Sequence, residues 1–294
     1  MTWVAWGLLA GLLLGTYDFL TKLALREQPV LAVIAASSAL GALLWAPALL
    51  APQAWGMAPL ALSPRELALL WPRSAMMVGS AVLSYCAVQG LPLSISAGVR
   101  ASGPLWTAMG ALLMLGEFLN AWQWMGLLVS MLAYYGFARI GQREGIHFAR
   151  NGWVLCMLAA TLLSSACALY DKYIVAGLGM DWVALQAWSA QQRAACALLL
   201  LPWVVRGLRM RGPMRAAGWG VVVAMALCFT VAEFIYLAAV QIEGALISVI
   251  SVLRRANLVA VFALGALFLR ERHMGPKLVA IAGVLLGIVL TLVG

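Results

Sequence analysis

The chain has 294 residues, of which 65% are hydrophobic and only 10% charged, and its mean hydropathy is +0.98. Soluble globular domains do not reach such values, and continuous rather than alternating apolar runs exclude a barrel. The formal charge of +9 is scattered over loop ends and helix interiors, so it reads as a membrane topology signal and not as a nucleic-acid surface.

A bilayer core needs about 20 apolar residues per helix. Ten such runs are predicted, over about 2–25, 30–50, 66–89, 94–115, 121–140, 151–176, 182–204, 214–240, 245–268 and 274–293. The expected fold is an all-α membrane protein of ten transmembrane helices. The first run has no basic leader and carries Asp18 and Lys22, so it is expected to be a resident helix and not a cleaved signal. These two charges stand four residues apart on one helical face and are expected to neutralise each other. The third run, with Arg65 and Arg73 read as loop charges at its start, ends in Tyr85-Cys86-Ala87-Val88-Gln89-Gly90. The fourth holds Ser94, Ser96, Arg100 and Trp106, and a Gly116-Glu117 turn precedes the fifth. The sixth ends in Tyr170-Asp171-Lys172, repeating the Tyr17-Asp18 pair of the first; the seventh has Gln191-Gln192-Arg193 at its centre. The eighth carries Glu233 and Tyr236, and the ninth carries Ser248, Ser251, Arg254 and Arg255. Glu271 precedes the tenth.

One offset of 154 carries Gly90 to Gly244, Ser94 to Ser248, Arg100 to Arg254 and Glu117 to Glu271. The chain is therefore read as two duplicate halves, 1–143 and 151–294, joined by the polar stretch Gly141 to Asn151. Five helices in each half force the second to enter the membrane in the opposite sense, so inverted repeats are expected, with a site at their interface near the midplane.

Arginine at membrane depth costs several kcal/mol unless it faces a partner, a cavity or a ligand. Arg254-Arg255 lies about ten residues into its run, near mid-membrane at about 1.5 Å per residue. Neighbours on a helix point about 100° apart, so one arginine is expected to face a cavity while the other meets an acid such as Glu233. The deep groups Lys22, Arg100, Lys172, Arg193, Arg254 and Arg255 outnumber Asp18, Asp171 and Glu233 by three. A bound anion would complete that surplus, and guanidinium forks suit carboxylates and phosphates. Tyr17, Tyr85, Trp106, Tyr170 and Tyr236 are candidate walls, able to hold an ammonium by cation–π attraction, so a zwitterion also fits. Ser96 and Ser251 complete the candidate substrate contacts. Asp18, Lys22, Tyr170, Asp171, Glu233 and Arg193 are candidates for charge balance, with Asp18, Asp171 or Glu233 as proton carriers.

Trp3, Trp6, Trp45, Trp55, Trp122, Trp124, Trp153 and Trp219 are expected to form the interfacial belt. Gly11 with Gly15 and Gly283 with Gly287 allow close helix contact. Cys86, Cys156, Cys167, Cys196 and Cys228 all lie in apolar runs without CxxC spacing and read as packing residues. His147 and His273 lie beside basic loop residues. No Walker loop, zinc cluster or nucleophile–base array is found, so neither an enzyme nor a cofactor or metal is expected. Transport would then draw on an ion or substrate gradient, in a monomer or weak dimer.

The chain resembles the drug/metabolite transporter superfamily, in its EamA-like bacterial branch. The resemblance spans essentially the whole chain. It rests on the two five-helix repeats, on Leu115-Gly116-Glu117 and Leu269-Arg270-Glu271, and on the stretches Tyr17-Asp18 to Lys22, Ser96 to Ser102 and Tyr170 to Tyr173. Arg254-Arg255 and Arg100 resemble basic residues on helices nine and four of the superfamily's sugar-phosphate carriers. The resemblance implies a secondary transporter in the bacterial inner membrane, working by alternating access on a small phosphate- or carboxylate-bearing metabolite. Export of amino acids or amphipathic amines, or flipping of a lipid-linked phosphate, are the alternatives. Orientation stays open. Basic residues such as Arg26, Arg139, Arg143, Arg150, Arg206, Arg209 and Arg211 crowd one side, which puts both termini outside by the positive-inside rule, whereas members of the superfamily usually keep both termini cytoplasmic.

Overall fold

The computed structural model describes residues 2–56, 58–100, 102–143, 150–211, 216–269 and 274–293. The sequence expectations for Glu144, His147, Arg215, Arg270, Glu271, Arg272 and His273 fall outside these residues, as does the side chain of Ser94. Every regular element among the described residues is helical.

The first three runs form α1 (Thr2–Glu27), α2 (Val30–Leu50) and α3 (Pro64–Gly90). α3 starts where Ser63 and Glu66 form a reciprocal capping box ahead of Pro64, satisfying two amides that no helical carbonyl can reach. The fourth run is two helices, α4 (Leu93–Arg100) and α5 (Gly103–Met114), and not the single span predicted. Pro104 is the cause: it has no N–H to donate to the carbonyl four residues back, which is that of Arg100. α6 (Ala121–Arg143) and α7 (Gly152–Lys172) follow; Asn151 caps α7 by accepting from the amides of Trp153 and Val154. The seventh run is likewise divided, into α8 (Trp182–Leu198) and α9 (Leu201–Arg211), because Pro202 removes the bond to Leu198. α10 is Ala216–Val240. The ninth run is α11 (Ile247–Leu253), a 3-10 turn over Arg254–Ala256, α12 (Asn257–Leu264) and a π turn. α13 (Met274–Val293) ends the chain's helices.

Six stretches among the described residues are long and apolar enough to cross a bilayer: Trp3–Arg26, Val30–Leu50, Pro64–Gly90, Gly152–Gly177, Gly218–Val240 and Ile247–Leu264. Ala121–Ala133 and Leu278–Thr291 are shorter apolar helices. Leu50, Leu113, Leu132 and Val279 stand on the outside, where lipid would cover them.

Lipid tails are as apolar as leucine, so burial of apolar surface does not drive these helices together; close packing and polar contacts do. The most extensive pairings are α6 with α13, α1 with α10, α3 with α7 and α2 with α8. A Cβ on Gly287 would lie 2.7 Å from the Gly126 carbonyl oxygen, and one on Gly126 2.5 Å from the Gly287 oxygen, so α6 and α13 touch backbone to backbone. Gly11 serves α1 in the same way, with a Cβ there 2.8 Å from the Arg254 carbonyl oxygen, and Gly15 is held as tightly against Asn257. These two glycines seat α1 on the turn that carries Arg254 and Arg255.

Two lysines tie helix ends by one recurring bond. Lys22 Nζ donates to the Leu91 carbonyl at 2.7 Å and also to that of Val88. Lys172 Nζ donates to the Ala245 carbonyl at 2.6 Å. The acceptors Leu91 and Ala245 stand at the same offset of 154 as the repeated arginines. Each lysine meets carbonyls left without an intrahelical donor just at or past the end of a helix, α3 or α10. Glu117 makes a third tie, accepting from the amides of Ile247 (3.1 Å) and Ser248 (3.3 Å) and from Ser248 Oγ (2.9 Å), and so caps the start of α11.

Trp45 corrects the expected belt. It is 8% exposed, packed among Ala48, Leu60, Ala184 and Ala187. Trp6, Trp122, Trp124, Trp153 and Trp219 are exposed.

Candidate functional site

A cavity of about 180 Å³ lies among α1, α2, α3, α7, α8, α10 and the divided fourth and ninth runs. Its charged lining is Arg100, Arg193, Arg254 and Arg255 against Asp171 and Glu233. Tyr17, Tyr85, Phe229 and Tyr236 give it aromatic walls. The volume is below the roughly 300 Å³ of pockets that hold drug-sized ligands.

Behind one wall stands a residue that sequence reasoning placed in a loop. Arg73 is fully buried within α3. Its Nε donates to Asp171 Oδ1 at 2.5 Å, its Nη2 meets Glu233 Oε2 at 3.2 Å, and its Nη1 donates to Ser189 Oγ. One guanidinium therefore joins α3, α7, α8 and α10. Its mates pull in neighbouring polar groups: Ser74 donates to Gln192 Oε1 (3.2 Å), and Gln192 Nε2 donates to the Leu67 carbonyl (2.8 Å). Gln191 Nε2 binds the Ala42 carbonyl at 2.9 Å, locking α8 to α2. The sequence signal for Arg73 was its distance from Ser63: it stands two full turns inside an apolar helix, where a guanidinium needs carboxylates.

Asp18 forms its ion pair with Arg100, whose Nη2 also takes Ser84 Oγ at 2.5 Å. The expected Asp18–Lys22 neutralisation is replaced by this cross-helix pair, because Lys22 points to the end of α3. Asn257 Nδ2 completes the other oxygen of Asp18 at 3.2 Å. Glu233 Oε1 meets Arg254 Nη2 at 3.4 Å, long for a charge-assisted bond. Arg254 also lies over the Tyr236 ring, 4.1 Å from its centroid. Arg255 Nη1 donates to the Arg100 carbonyl at 2.7 Å and its Nε to that of Ser251 at 3.3 Å. Tyr17 and Tyr85 share a hydroxyl–hydroxyl bond.

The structure thus gathers Tyr17, Tyr85, Arg100, Asp171, Arg193, Glu233, Tyr236, Arg254 and Arg255 around one space, with Asp18 just behind it. Other candidates lie elsewhere. Ser96 Oγ turns back to the Pro92 carbonyl (3.1 Å), Ser251 Oγ faces Thr107 (3.4 Å), and Trp106 Nε1 reaches Ser102 (3.4 Å). Tyr170 donates to the Leu69 carbonyl at 2.8 Å, and none of these four lines the cavity. Arg73, Asn257, Phe229 and Thr230 are site members that sequence reasoning did not single out. Hydropathy reports depth along a helix but not which neighbour a side chain meets.

The fold and this polar interior define a multi-pass α-helical membrane protein. Residues 1–139 match the EamA-like transporter family, a likeness confined to the first half of the chain. A solved crystal structure superposes with a TM-score of 0.73 at 17% identity, covering 98% of this chain and 95% of its own, a likeness of fold. No curated protein matches the chain.

Proposed function

We propose that the protein is a secondary transporter that moves a small anionic or zwitterionic metabolite, bearing a carboxylate or phosphate, through the cavity by alternating access. One observation carries this reading: four arginines line the space and only two carboxylates line it with them. Asp18, behind the wall, accounts for Arg100. The acids that face the cavity are already shared with Arg73 and Arg254, which argues against export of a cation that would need them. The modest cavity volume argues against a lipid-linked phosphate.

In this reading the two halves, 1–143 and 151–294, are inverted repeats of five membrane-crossing helices. The recurring lysine bonds support it, as does the exchange of partners between α1 on α10 and α3 on α7. So does the break in each half beside an arginine, after Arg100 and at Arg254. Discontinuous helices at a repeat interface are how such proteins bring polar backbone to a midplane site. Tyr85, Tyr236 and Tyr17 shape the pocket, and Glu233, held between two arginines, is the group placed to carry a coupling proton. The bacterial inner membrane is the setting that fits.

Counterflow in proteoliposomes, with a panel of organophosphates, carboxylates, amino acids and amines, tests the reading. Arg254→Ala should abolish exchange of whichever anion the wild type carries, with folding intact. Unaltered exchange, or a panel in which only amines compete, would overturn it.

A further inference from the structure

The other arginines of the cavity are engaged with protein oxygens: Arg100 by Asp18 and Ser84, Arg254 by Glu233, and Arg255 by two backbone carbonyls. Arg193 differs. It comes from α8, has no counterpart in the repeat offset, is 6% exposed and lines the cavity. Its hydrogen-bond and cation–π partners among the described residues are soft ones, Met77 Sδ at 3.7 Å and the Phe229 ring, whose centroid lies 4.9 Å from its Cζ. No carboxylate among the described residues stands within ion-pair reach of it. A buried guanidinium carries five donors and needs oxygen acceptors to offset its lost hydration. A thioether and a ring face leave most of that need unmet.

The neighbourhood adds a second unmet group. Thr230, next to Phe229 on α10, has a buried hydroxyl with no partner among the described residues, and it lines the same cavity. Its Oγ1 stands 3.9 Å from where a Cβ on Gly41 of α2 would sit, so the groove between α2, α8 and α10 is narrow there. Phe229 in turn packs on Tyr17, with centroids 5.1 Å apart. The ring therefore touches both Arg193 and the Tyr17 side of the cavity.

We infer that Arg193, with Thr230 beside Phe229, is the subsite that receives the substrate's oxyanion group, a carboxylate or a phosphate. Arg100, Arg254 and Arg255 hold the architecture around it. The inference rests on the transport reading and narrows it. A guanidinium offers two parallel N–H donors to an oxyanion and Thr230 offers a third. Phe229 fixes the guanidinium plane from one side. The part of the substrate next to the oxyanion then meets the aromatic surface of Phe229 and Tyr17, so a small apolar or planar group is favoured there.

The test measures thermal unfolding of the whole detergent-solubilised protein and exchange in proteoliposomes, with pyruvate, alanine, inorganic phosphate and ethylamine as probes. In the wild type, at least one of the first three should raise the unfolding temperature and exchange, and ethylamine should do neither. Pyruvate or alanine without phosphate identifies the group as a carboxylate, and phosphate alone identifies it as a phosphate. Arg193→Gln should lose that ligand-induced shift while unfolding no lower than wild type without ligand, since it removes an uncompensated buried charge. Arg193→Lys keeps the charge without the fork and should raise the KM for exchange by about tenfold or more. Thr230→Val should raise it less. A wild type that responds to none of the first three probes overturns the transport reading and this inference with it. A wild type that responds, beside an Arg193→Gln protein that keeps the full shift, overturns the Arg193 subsite alone.

Discussion

Arg255 reaches the backbone carbonyl of Arg100, 155 positions away, with its Nη1 2.7 Å from the oxygen. That carbonyl is available because Pro104 has no N–H to give it. A proline in the first half thus creates the acceptor that an arginine of the second half fills. The junction joins the divided fourth run to the turn at Arg254–Ala256. Pro104→Ala should restore the helical bond, draw Arg100 away from Asp18 and cut exchange by about tenfold or more, as misplacement of a site group by about 1 Å does. The unfolding temperature should change little, since Pro104 stands in the first turn of α5, where proline is tolerated. Full exchange activity in Pro104→Ala would show that the break is dispensable.

Arg73 and Asp171 are both buried, and removing one partner leaves the other charge without compensation. Arg73→Met should cost about 3–5 kcal/mol of stability. Asp171→Leu should cost less, because Arg73 keeps Glu233. The double variant should recover part of the Arg73→Met loss. Thermal unfolding of the three proteins checks the order, and additive losses would contradict it.

Gly15 rests against the backbone at Asn257. Gly15→Ala must push α1 away from Asn257 and Ala260 at the start of α12, at about 1–3 kcal/mol for overpacking. Exchange should fall further than that stability loss explains, because the displaced Asn257 bonds Asp18 and directly follows the turn that carries Arg254 and Arg255. An exposed control such as Gly152→Ala, where an added Cβ meets nothing within 4 Å, should change little. Equal behaviour of the two variants would refute the close contact.

Lys22 and Lys172 make the same bond in the two halves. Lys22→Met and Lys172→Met should each destabilise by about 1.5–3 kcal/mol, the range for hydrogen bonds to charged groups, as read by thermal unfolding. A loss confined to one of them would speak against their equivalence.

Much of the framework was legible in the chain. The apolar runs placed the long helices, and Gly11, Gly15 and Gly287 announced close contacts. The offset of 154 singled out Arg100 and Arg254. Three runs read as single spans are broken, the fourth, seventh and ninth, although for the first two of these Pro104 and Pro202 were visible signals. Arg73 was read as a loop charge because it follows Arg65 near the start of a run. The pairing of Asp18 with Lys22 failed because helical spacing describes one helix, while Asp18 answers to Arg100 and Asn257 on others.

The sequence by itself determined a helical membrane protein with a duplicated pattern and charges at membrane depth, since hydropathy and periodicity are properties of one chain read along its axis. Only the tertiary structure decided which charges meet. It set Arg73 between Asp171 and Glu233, turned Arg255 onto a backbone carbonyl, and left Arg193 facing the cavity with a sulfur and a ring for company. Coulomb energies and hydrogen bonds depend on separations of a few Å between helices, and those separations come from packing.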